Sequence, residues 1–422
     1  MDINETLEFI HSVSWIGGRL GLERITELLA KLGNPERECG IIHIAGTNGK
    51  GSTAAMLASV MNSAGYKTGL YTSPYIWRFN ERMQIDGVSI SDEELIELTE
   101  LVKPHALSMA DQPTEFELVT AIAFLYFARN GCDMIVLEVG MGGRLDATNV
   151  IESPECCAIT AIGLDHVAEL GDTIEKIAVE KAGIIKPGCD VVLYGQEPSV
   201  ISVISDICDE RGAKLRVTEP EKLEPLSDAL EGQGFMYKSH GEYNIPLLGP
   251  HQLKNAAVVL DVIAALREKG RVISDEAIYE GLRKTEWPAR FELLHREPYF
   301  IVDGGHNPQC AETVAVNLKK YFPNQKAVLL IGVLGDKDYG GLTSILDEAA
   351  GSYVAVRPDN PRALSGQALG AHLETYGKPV TVCDTIEDGV RAAMAAAGSN
   401  GVACAVGSLY MAGAVRACFG LG

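Results

Sequence analysis

The sequence predicts a two-domain α/β protein built on mainly parallel sheets, and three observations carry that reading. The stretch Ile41-Ile42-His43-Ile44-Ala45 is apolar and partly β-branched. It breaks at Gly46 and Gly49 and runs on into the helical segment Thr53–Met61, and strand, glycine loop and helix in that order form the repeating unit of a parallel α/β fold. Short apolar runs ending in turn residues then alternate with helical periodicity. Finally, 422 residues exceed one ordinary core, and the alternation restarts after a composition break at Trp287-Pro288-Ala289-Arg290-Phe291-Glu292.

The first forty residues read as helical. Ile25, Leu28 and Leu29 recur at helical spacing, and Gly33-Asn34-Pro35 stops that helix; Trp15–Arg24 lies ahead of and at its start. In Gly46-Thr47-Asn48-Gly49-Lys50-Gly51-Ser52, the glycines let backbone N–H groups close around phosphate oxygens. Lys50 supplies a point charge, and a hydroxyl supplies a magnesium ligand. The loop departs from G-x-x-x-x-G-K-[ST]: Ile44 stands where the first glycine belongs, and Gly51 separates Lys50 from the hydroxyl of Ser52. A nucleotide triphosphate is the expected ligand, and the N-terminal part is the expected nucleotide-binding domain.

Lys67–Pro74 reads as a second strand and turn, followed by a loop, Tyr75–Met83, that interleaves aromatics with Arg78 and Arg82. Such a loop suits a flat anionic ligand, although Trp77 and Phe79 could equally pack against the sheet. Ser91-Asp92-Glu93-Glu94 starts a helix, and Glu115–Arg129 is another. Asp133–Val139 is a buried strand ending at Glu138, and Cys157–Ile162 is a further strand leading into Gly163-Leu164-Asp165-His166. Glu138 and His166 therefore end two separate strands, where open parallel sheets bind ligands. Thr173–Gly188 is a helix closed by glycine and proline, residues 234–247 a hairpin, and Gln252–Lys269 and Ser274–Lys284 helices. Strands at Tyr299–Asp303, Val328–Val333, Ser352–Val356, Pro379–Cys383 and Val402–Val406 build the second, smaller doubly wound α/β domain. The expected boundaries are 1–288 and 297–422, with 289–296 as linker.

The formal net charge of −21 argues against a nucleic-acid backbone as partner, and an anionic substrate must be drawn in by local features. No run approaches the ~18 apolar residues of a membrane span. Met1-Asp2-Ile3-Asn4-Glu5 lacks a basic start and an apolar core. The ten cysteines are scattered with no C-x-x-C pair, the pattern of reduced thiols packed as small hydrophobes. A cytoplasmic monomer without a zinc site is the expectation.

Fourteen pieces in order resemble the folylpolyglutamate synthase and dihydrofolate synthase family of the Mur ligase superfamily, over nearly the whole chain. They are LGLERI (20–25), GTNGKGS (46–52), TSPY (72–75), NERM (80–83), PTEFE (113–117), EVGMGGRLDATN (138–149), GLDH (163–166), EKAGIIK (180–186), GPHQLKNA (249–256), WPARFE (287–292), DGGHNP (303–308), GDKD (335–338), NPRA (360–363) and GSLYMAGAVR (407–416). Three departures stand out: Tyr75 replaces the family's usual histidine, Ala289 a glycine, and Gly305 an alanine.

The resemblance implies ATP-dependent amide formation. ATP turns a carboxylate into an acyl phosphate, which the amine of L-glutamate then attacks. By resemblance, Thr47, Asn48, Gly49, Lys50, Gly51 and Ser52 hold the triphosphate, and Ser52, Glu138 and His166 ligate a first magnesium ion. Lys181 matches a lysine carried as a carbamate, which serves a second ion. Asn255 matches a position near adenine and ribose. Arg290, Asp303 and His306 match residues that reach ATP from the second domain, and His306 and Ser408 match positions near glutamate. Ser73, Tyr75 and Arg82, with the helix starting near Glu115, are the candidates for holding the folate or dihydropteroate acceptor. The PTEFE segment favours both synthase activities over folate extension alone. The alternatives are another amino-acid ligase of the superfamily and a phosphate-loop ATPase that ligates nothing.

Overall fold

The computed structural model describes residues 1–12, 21–238 and 240–421. Most of Trp15–Arg24, including the first residue of LGLERI, lies outside the described residues.

The chain forms two compact units. The first comprises Met1–Glu224, Phe235–Asn244 and Leu253–Thr285, and the second Pro225–Gly234, Ile245–Gln252 and Glu286–Gly422. In place of a single cut near 288, the chain passes between the units five times. The expected linker is also reassigned: Glu292–Arg296 is a strand of the second unit's sheet, pairing antiparallel with Tyr299–Val302. A tight turn closes that hairpin, so these residues satisfy their backbone groups within the unit.

The strands of the first unit are β1 (Gly40–Ala45), β2 (Thr68–Tyr71), β3 (Met83–Ile85), β4 (Val88–Ser89), β5 (Met134–Glu138), β6 (Cys156–Ile159), β7 (Asp190–Leu193) and β8 (Lys214–Val217), in sheet order β4-β3-β2-β5-β1-β6-β7-β8. All pairs from β2 to β8 are parallel, and β3 and β4 add an antiparallel edge. β1 is buried along nearly its whole length and lies between β5 and β6. The chain departs from β1 towards β2 and β5 on one side and towards β6 on the other. Loops leaving β1, β5 and β6 therefore open a crevice at the carboxyl edge. Ile44 pairs with Glu138 and with Ala158, which aligns the three strand ends.

Helices cover the sheet. The helix Glu115–Arg129 starts with a capping box: Thr114 Oγ1 accepts the Glu117 N–H, and the Glu117 carboxylate accepts the Thr114 N–H. Glu117 is buried and takes a hydrogen bond from Arg24 Nε at 2.9 Å. The PTEFE and LGLERI pieces are thus joined by a buried ion pair that ties two helices together.

A three-stranded sheet, order β11-β10-β9, comprises β9 (Leu223–Ala229), β10 (Gly232–Tyr237) and β11 (His240–Ile245); the last two are the expected hairpin. The second unit carries β12 (Glu292–Arg296), β13 (Tyr299–Val302), β14 (Ala327–Ile331), β15 (Ala350–Ala355), β16 (Val380–Val382) and β17 (Val402–Val406), in order β12-β13-β17-β14-β15-β16. From β13 to β16 all pairs are parallel. Its core packs Ile301, Leu329, Tyr353, Leu369 and Cys404 between sheet and helices. All five strands expected after residue 296 are present. Among the described residues no helix is long and apolar enough to cross a membrane.

Candidate functional site

The glycine loop leaves β1 at Gly46, whose φ is +157°. A Cβ built on Gly46 would lie 1.8 Å from Thr160 Oγ1. Close approach to the β6 end, and not phosphate alone, demands glycine there. It also explains why the first glycine sits two residues later than the usual pattern: Ile44 is still inside the sheet, fully buried. Gly49 has φ +87° and caps the helix Lys50–Ser63 with no side-chain hydrogen bond. The N–H groups of that helix's first turn have no intrahelical acceptors, and they carry the positive end of its dipole. Lys50, Gly51 and Ser52 belong to this turn, the arrangement expected of a phosphate site.

Thr47 and Asn48 are tied into the fold through their backbone. Their N–H groups both donate to Ala161 O, at 2.8 and 3.1 Å. Thr47 Oγ1 donates to Gly163 O at 3.0 Å and accepts the Gly163 N–H at 3.1 Å. These bonds fasten the phosphate loop to the segment that leads to Asp165 and His166, so their backbone donors are used within the protein.

Asn255 is also placed by contact with the loop. It is buried, and its Oδ1 lies 2.6 Å from where a Gly49 Cβ would stand. Its amide therefore packs on the cap of the phosphate-loop helix.

Lys181 lies near the end of the helix Ile174–Ala182. Its side chain is buried and donates from Nζ to Gly46 O at 2.8 Å. Burial, and next the positive charge of Lys50, bring its pKa down to about 7, against the opposing pull of Asp165 and Asp146. The EVGMGGRLDATN loop holds this helix end in place. A Cβ on Gly143 would meet Glu180 O at 2.8 Å and Lys181 O at 2.9 Å, and one on Gly183 would meet Arg144 Cα at 2.3 Å. The Arg144 N–H donates to Glu180 O at 2.8 Å. Asp146 anchors the loop by accepting N–H groups from Met141 and Thr148 at 2.9 and 3.0 Å. Its carboxyl pKa is raised by burial, which those bonds partly offset. Thr148 in turn meets buried His43 Nε2 at 2.9 Å. Burial, with the charge of Lys186, lowers the His43 pKa to about 3, so this imidazole is neutral.

Glu138 is buried at the end of β5, and its Oε2 accepts the Ser73 N–H at 3.1 Å. The Thr72–Pro74 turn therefore meets the β5 end directly. His166 is exposed, with φ +49° and its Nε2 4.0 Å from Asp165 Oδ1. An oxygen-rich set of hydroxyl and carboxylate, with one imidazole, suits a hard divalent cation such as magnesium. Among the described residues no three His, Cys, Asp or Glu side chains converge on a metal-sized site. Ser52 is the donor outside those residue types.

In the loop that follows, Phe79 belongs to the hydrophobic core and Trp77 is exposed. Tyr75 is half-buried, and Arg82 lies against the rings of Tyr75 and Phe79, 5.3 and 5.4 Å from their centroids. Phe79 is thus unavailable for stacking on a ligand, a point the sequence left open.

In the second unit, Asp303 follows β13 and is buried. Its Oδ2 accepts the Phe291 N–H at 2.8 Å and its Oδ1 the Gly305 N–H at 2.7 Å. Burial raises its pKa, against Arg290 and these two bonds. Arg290 Nη1 donates to Ala289 O at 2.9 Å, and His306 Nδ1 lies 3.4 Å from Gly304 O. Ser408 caps the helix Leu409–Ala417 and accepts the Tyr410 N–H; beside it the Gly407 N–H donates to Gly305 O at 3.0 Å. Arg290, Asp303, His306 and Ser408 are therefore neighbours at the carboxyl edge of β13 and β17.

Two of the three family departures are not simple exchanges of small residues. Ala289 has φ +55°, in the left-handed region that glycine tolerates best. Ala289→Gly is expected to stabilise the protein by about 1 kcal/mol, the left-handed penalty less glycine's extra unfolded-state entropy. A denaturant midpoint that falls instead of rising would refute this. Gly305 is constrained the other way: a Cβ there would lie 2.7 Å from Cys310 Cβ and 2.8 Å from Asp303 Oδ1.

The Mur ligase middle domain matches residues 44–263, and the Mur ligase glutamate ligase domain matches residues 289–409. The chain is 39% identical to the dihydrofolate synthase/folylpolyglutamate synthase of Bacillus subtilis, over 96% of this chain and 97% of that protein. It is similar to the Mycobacterium tuberculosis folylpolyglutamate synthase complexed with ADP and AMPPCP, with a TM-score of 0.90 and 32% identity over 99% of both chains. It is also similar to Escherichia coli FolC in complex with DHPP and ADP, with a TM-score of 0.86 and 30% identity over 99% of this chain and 97% of that one. With both Mur ligase domains matched and relatives aligned along nearly its full length, the chain belongs to the folylpolyglutamate synthase/dihydrofolate synthase family, ATP-dependent ligases of the Mur ligase superfamily.

Proposed function

We propose that this ligase joins L-glutamate both to dihydropteroate and to the γ-carboxylate of reduced folates. The observation that carries the reading is the placement of Lys181 and Lys50 around one phosphate loop, with Lys181 bonded to Gly46 O and brought to a pKa of about 7. Names of relatives that include both synthase activities support the double specificity.

In the proposed reaction a carboxylate oxygen of the acceptor attacks the γ-phosphorus of ATP and ADP leaves. The glutamate nitrogen then attacks the acyl carbon, phosphate leaves with the C–O bonding pair, and the nitrogen loses a proton. The helix turn Lys50-Gly51-Ser52 binds the triphosphate through backbone N–H groups, and Lys50 adds a positive charge at the developing anion. Ser52, Glu138 and His166 would hold one magnesium ion and a carbamate on Lys181 a second; when bound, the ions offset charge on the triphosphate and on the transition state. Lys181 suits this modification because a neutral amine attacks CO2. Its nitrogen forms the N–C bond, one C=O electron pair moves onto oxygen, and a proton goes to water. The remaining N–H can keep the bond to Gly46 O, and the new anion stands near the Lys50 cation. Arg290, Asp303, His306 and Ser408 are proposed to serve ATP and the incoming glutamate in the same reaction. Ser73 and Arg82 serve the acceptor.

The test is incorporation of labelled glutamate by purified protein with ATP, magnesium and dihydropteroate as sole acceptor, run beside tetrahydrofolate. Product with both is the expected result. Robust extension of tetrahydrofolate with no product from dihydropteroate would leave folylpolyglutamate synthesis alone. ATP hydrolysis indifferent to glutamate would overturn the ligase assignment for this pair of substrates.

A further inference from the structure

The loop between β2 and β3 is unusually well fixed for an exposed segment. The Glu81 carboxylate accepts N–H groups from Ile76 at 2.8 Å, Trp77 at 3.1 Å and Arg78 at 2.8 Å. Asn80 Nδ2 donates to Ile90 O at 2.7 Å and to Asp92 Oδ1 at 2.9 Å, and the Thr72 N–H donates to Arg82 O at 3.1 Å. These bonds account for the NERM piece: it builds the loop around a buried carboxamide and a carboxylate that gathers three backbone donors.

The same scaffold sets Arg82 in an unusual environment. Its guanidinium carbon lies 5.3 Å from the Tyr75 centroid and 5.4 Å from that of Phe79, and the two rings meet edge to face at 5.9 Å. Its Nε is enclosed without a hydrogen-bond acceptor. Among the described residues no carboxylate pairs with Arg82. A half-buried guanidinium lacking a counter-charge is costly unless something else offsets its charge. Ring faces do so in part, through the attraction between a cation and an aromatic quadrupole. They also hold the planar fork still while leaving its positive charge unneutralised, which suits recognition of a carboxylate.

We propose that Tyr75 and Phe79 form an aromatic clamp that presents Arg82 to the non-reacting carboxylate of a folyl acceptor, with Tyr75 as the specificity-determining wall. Phe79 is locked into the core, whereas Tyr75 packs against that core from a half-buried position. Tyr75 thus acts as a positioning residue for Arg82; one of its ring faces is already covered, so pteridine stacking is not its main task. The inference rests on the acceptor reading above and adds a selectivity to it. A folate carries two carboxylates on its terminal glutamate, one that reacts and one that does not. Dihydropteroate carries only the benzoate that reacts, so the clamp discriminates between them.

The test measures binding of tetrahydrofolate and of dihydropteroate to the full chain by calorimetry, in wild type, Tyr75→Leu and Tyr75→Phe. Tyr75→Leu is expected to weaken tetrahydrofolate about fivefold and dihydropteroate by less than about twofold, with Tyr75→Phe restoring wild-type values because it keeps the ring. Equal weakening of both ligands, or Tyr75→Phe as poor as Tyr75→Leu, would overturn the clamp. So would an unmoved ratio in Tyr75→Leu when the wild-type chain binds both acceptors. A wild-type chain that binds neither would remove the acceptor reading itself, and the clamp with it. Melting of each variant is recorded alongside. If Tyr75→Leu fails to fold, Tyr75→Met takes its place under the same criteria.

Discussion

Lys50→Ala is expected to lower glutamate ligation by about 10²–10³ while leaving the melting temperature near that of wild type. The side chain is half-buried at the start of the phosphate-loop helix, and its protein contact is a 3.3 Å bond from Nζ to Thr47 O. Little packing is lost with it. What is lost is a fixed positive charge where phosphate charge develops, and such a charge is worth more in a partly dehydrated site than in water. A second consequence separates this account from a purely local one. Lys50 helps to hold down the pKa of Lys181. Removing it should let that pKa rise and so reduce the fraction of Lys181 able to accept CO2 at neutral pH. Steady-state rates, thermal melting and carbamate occupancy on the same preparation test both parts. Near-normal turnover with unchanged melting would sink the phosphate-loop assignment.

Lys181→Ala should abolish detectable ligation, by at least about 10²-fold, because it removes the anchor for the proposed second metal ion. A small carboxylate added in solution is expected to restore part of the rate. In the wild type, 13C-labelled bicarbonate should give a carbamate resonance that is absent from the variant. The pH dependence has a definite sign. The amine reacts only when neutral, and its pKa in the folded chain is about 7, so occupancy should climb as pH rises from about 6 to 8. The unmodified chain should show the linked effect on stability. Its folded pKa lies below the unfolded lysine value of ~10.4, so burial of Lys181 is destabilising in full below about pH 7, and the penalty fades as pH rises towards 10. Lys181→Met in CO2-free buffer should lack that slope. An unmodified ammonium in wild type, unresponsive to bicarbonate with magnesium present, would rule out the carbamate.

Much of this protein is legible in its sequence because the signals are local. The run Ile41–Ala45, the glycines after it and the helix behind them appear where the periodicity and backbone freedom of those residues put them. The five strands after residue 296 are likewise apolar runs bounded by turn residues, and each forms. Glu138 and Asp303 were recognisable as carboxylates at strand ends, and parallel pairing brings the one to the β1 edge and the other beside β17.

Other features depend on residues far apart in the chain, and only the tertiary structure decided them. That the N–H groups of Thr47 and Asn48 pair with Ala161 O is not readable from the loop's own residues. A lysine in EKAGIIK is an ordinary cation by composition; burial against Gly46 and the field of Lys50 make it a weak base. Ala289 passes for a harmless replacement of glycine until its φ of +55° is known. Tyr75 and Phe79 stand in a loop that interleaves aromatics with arginines, yet one walls Arg82 from a half-buried position and the other from the core. In each case side-chain identity and local propensity are silent about desolvation, charge proximity and close backbone approach, because those arise only when the fold brings distant segments together.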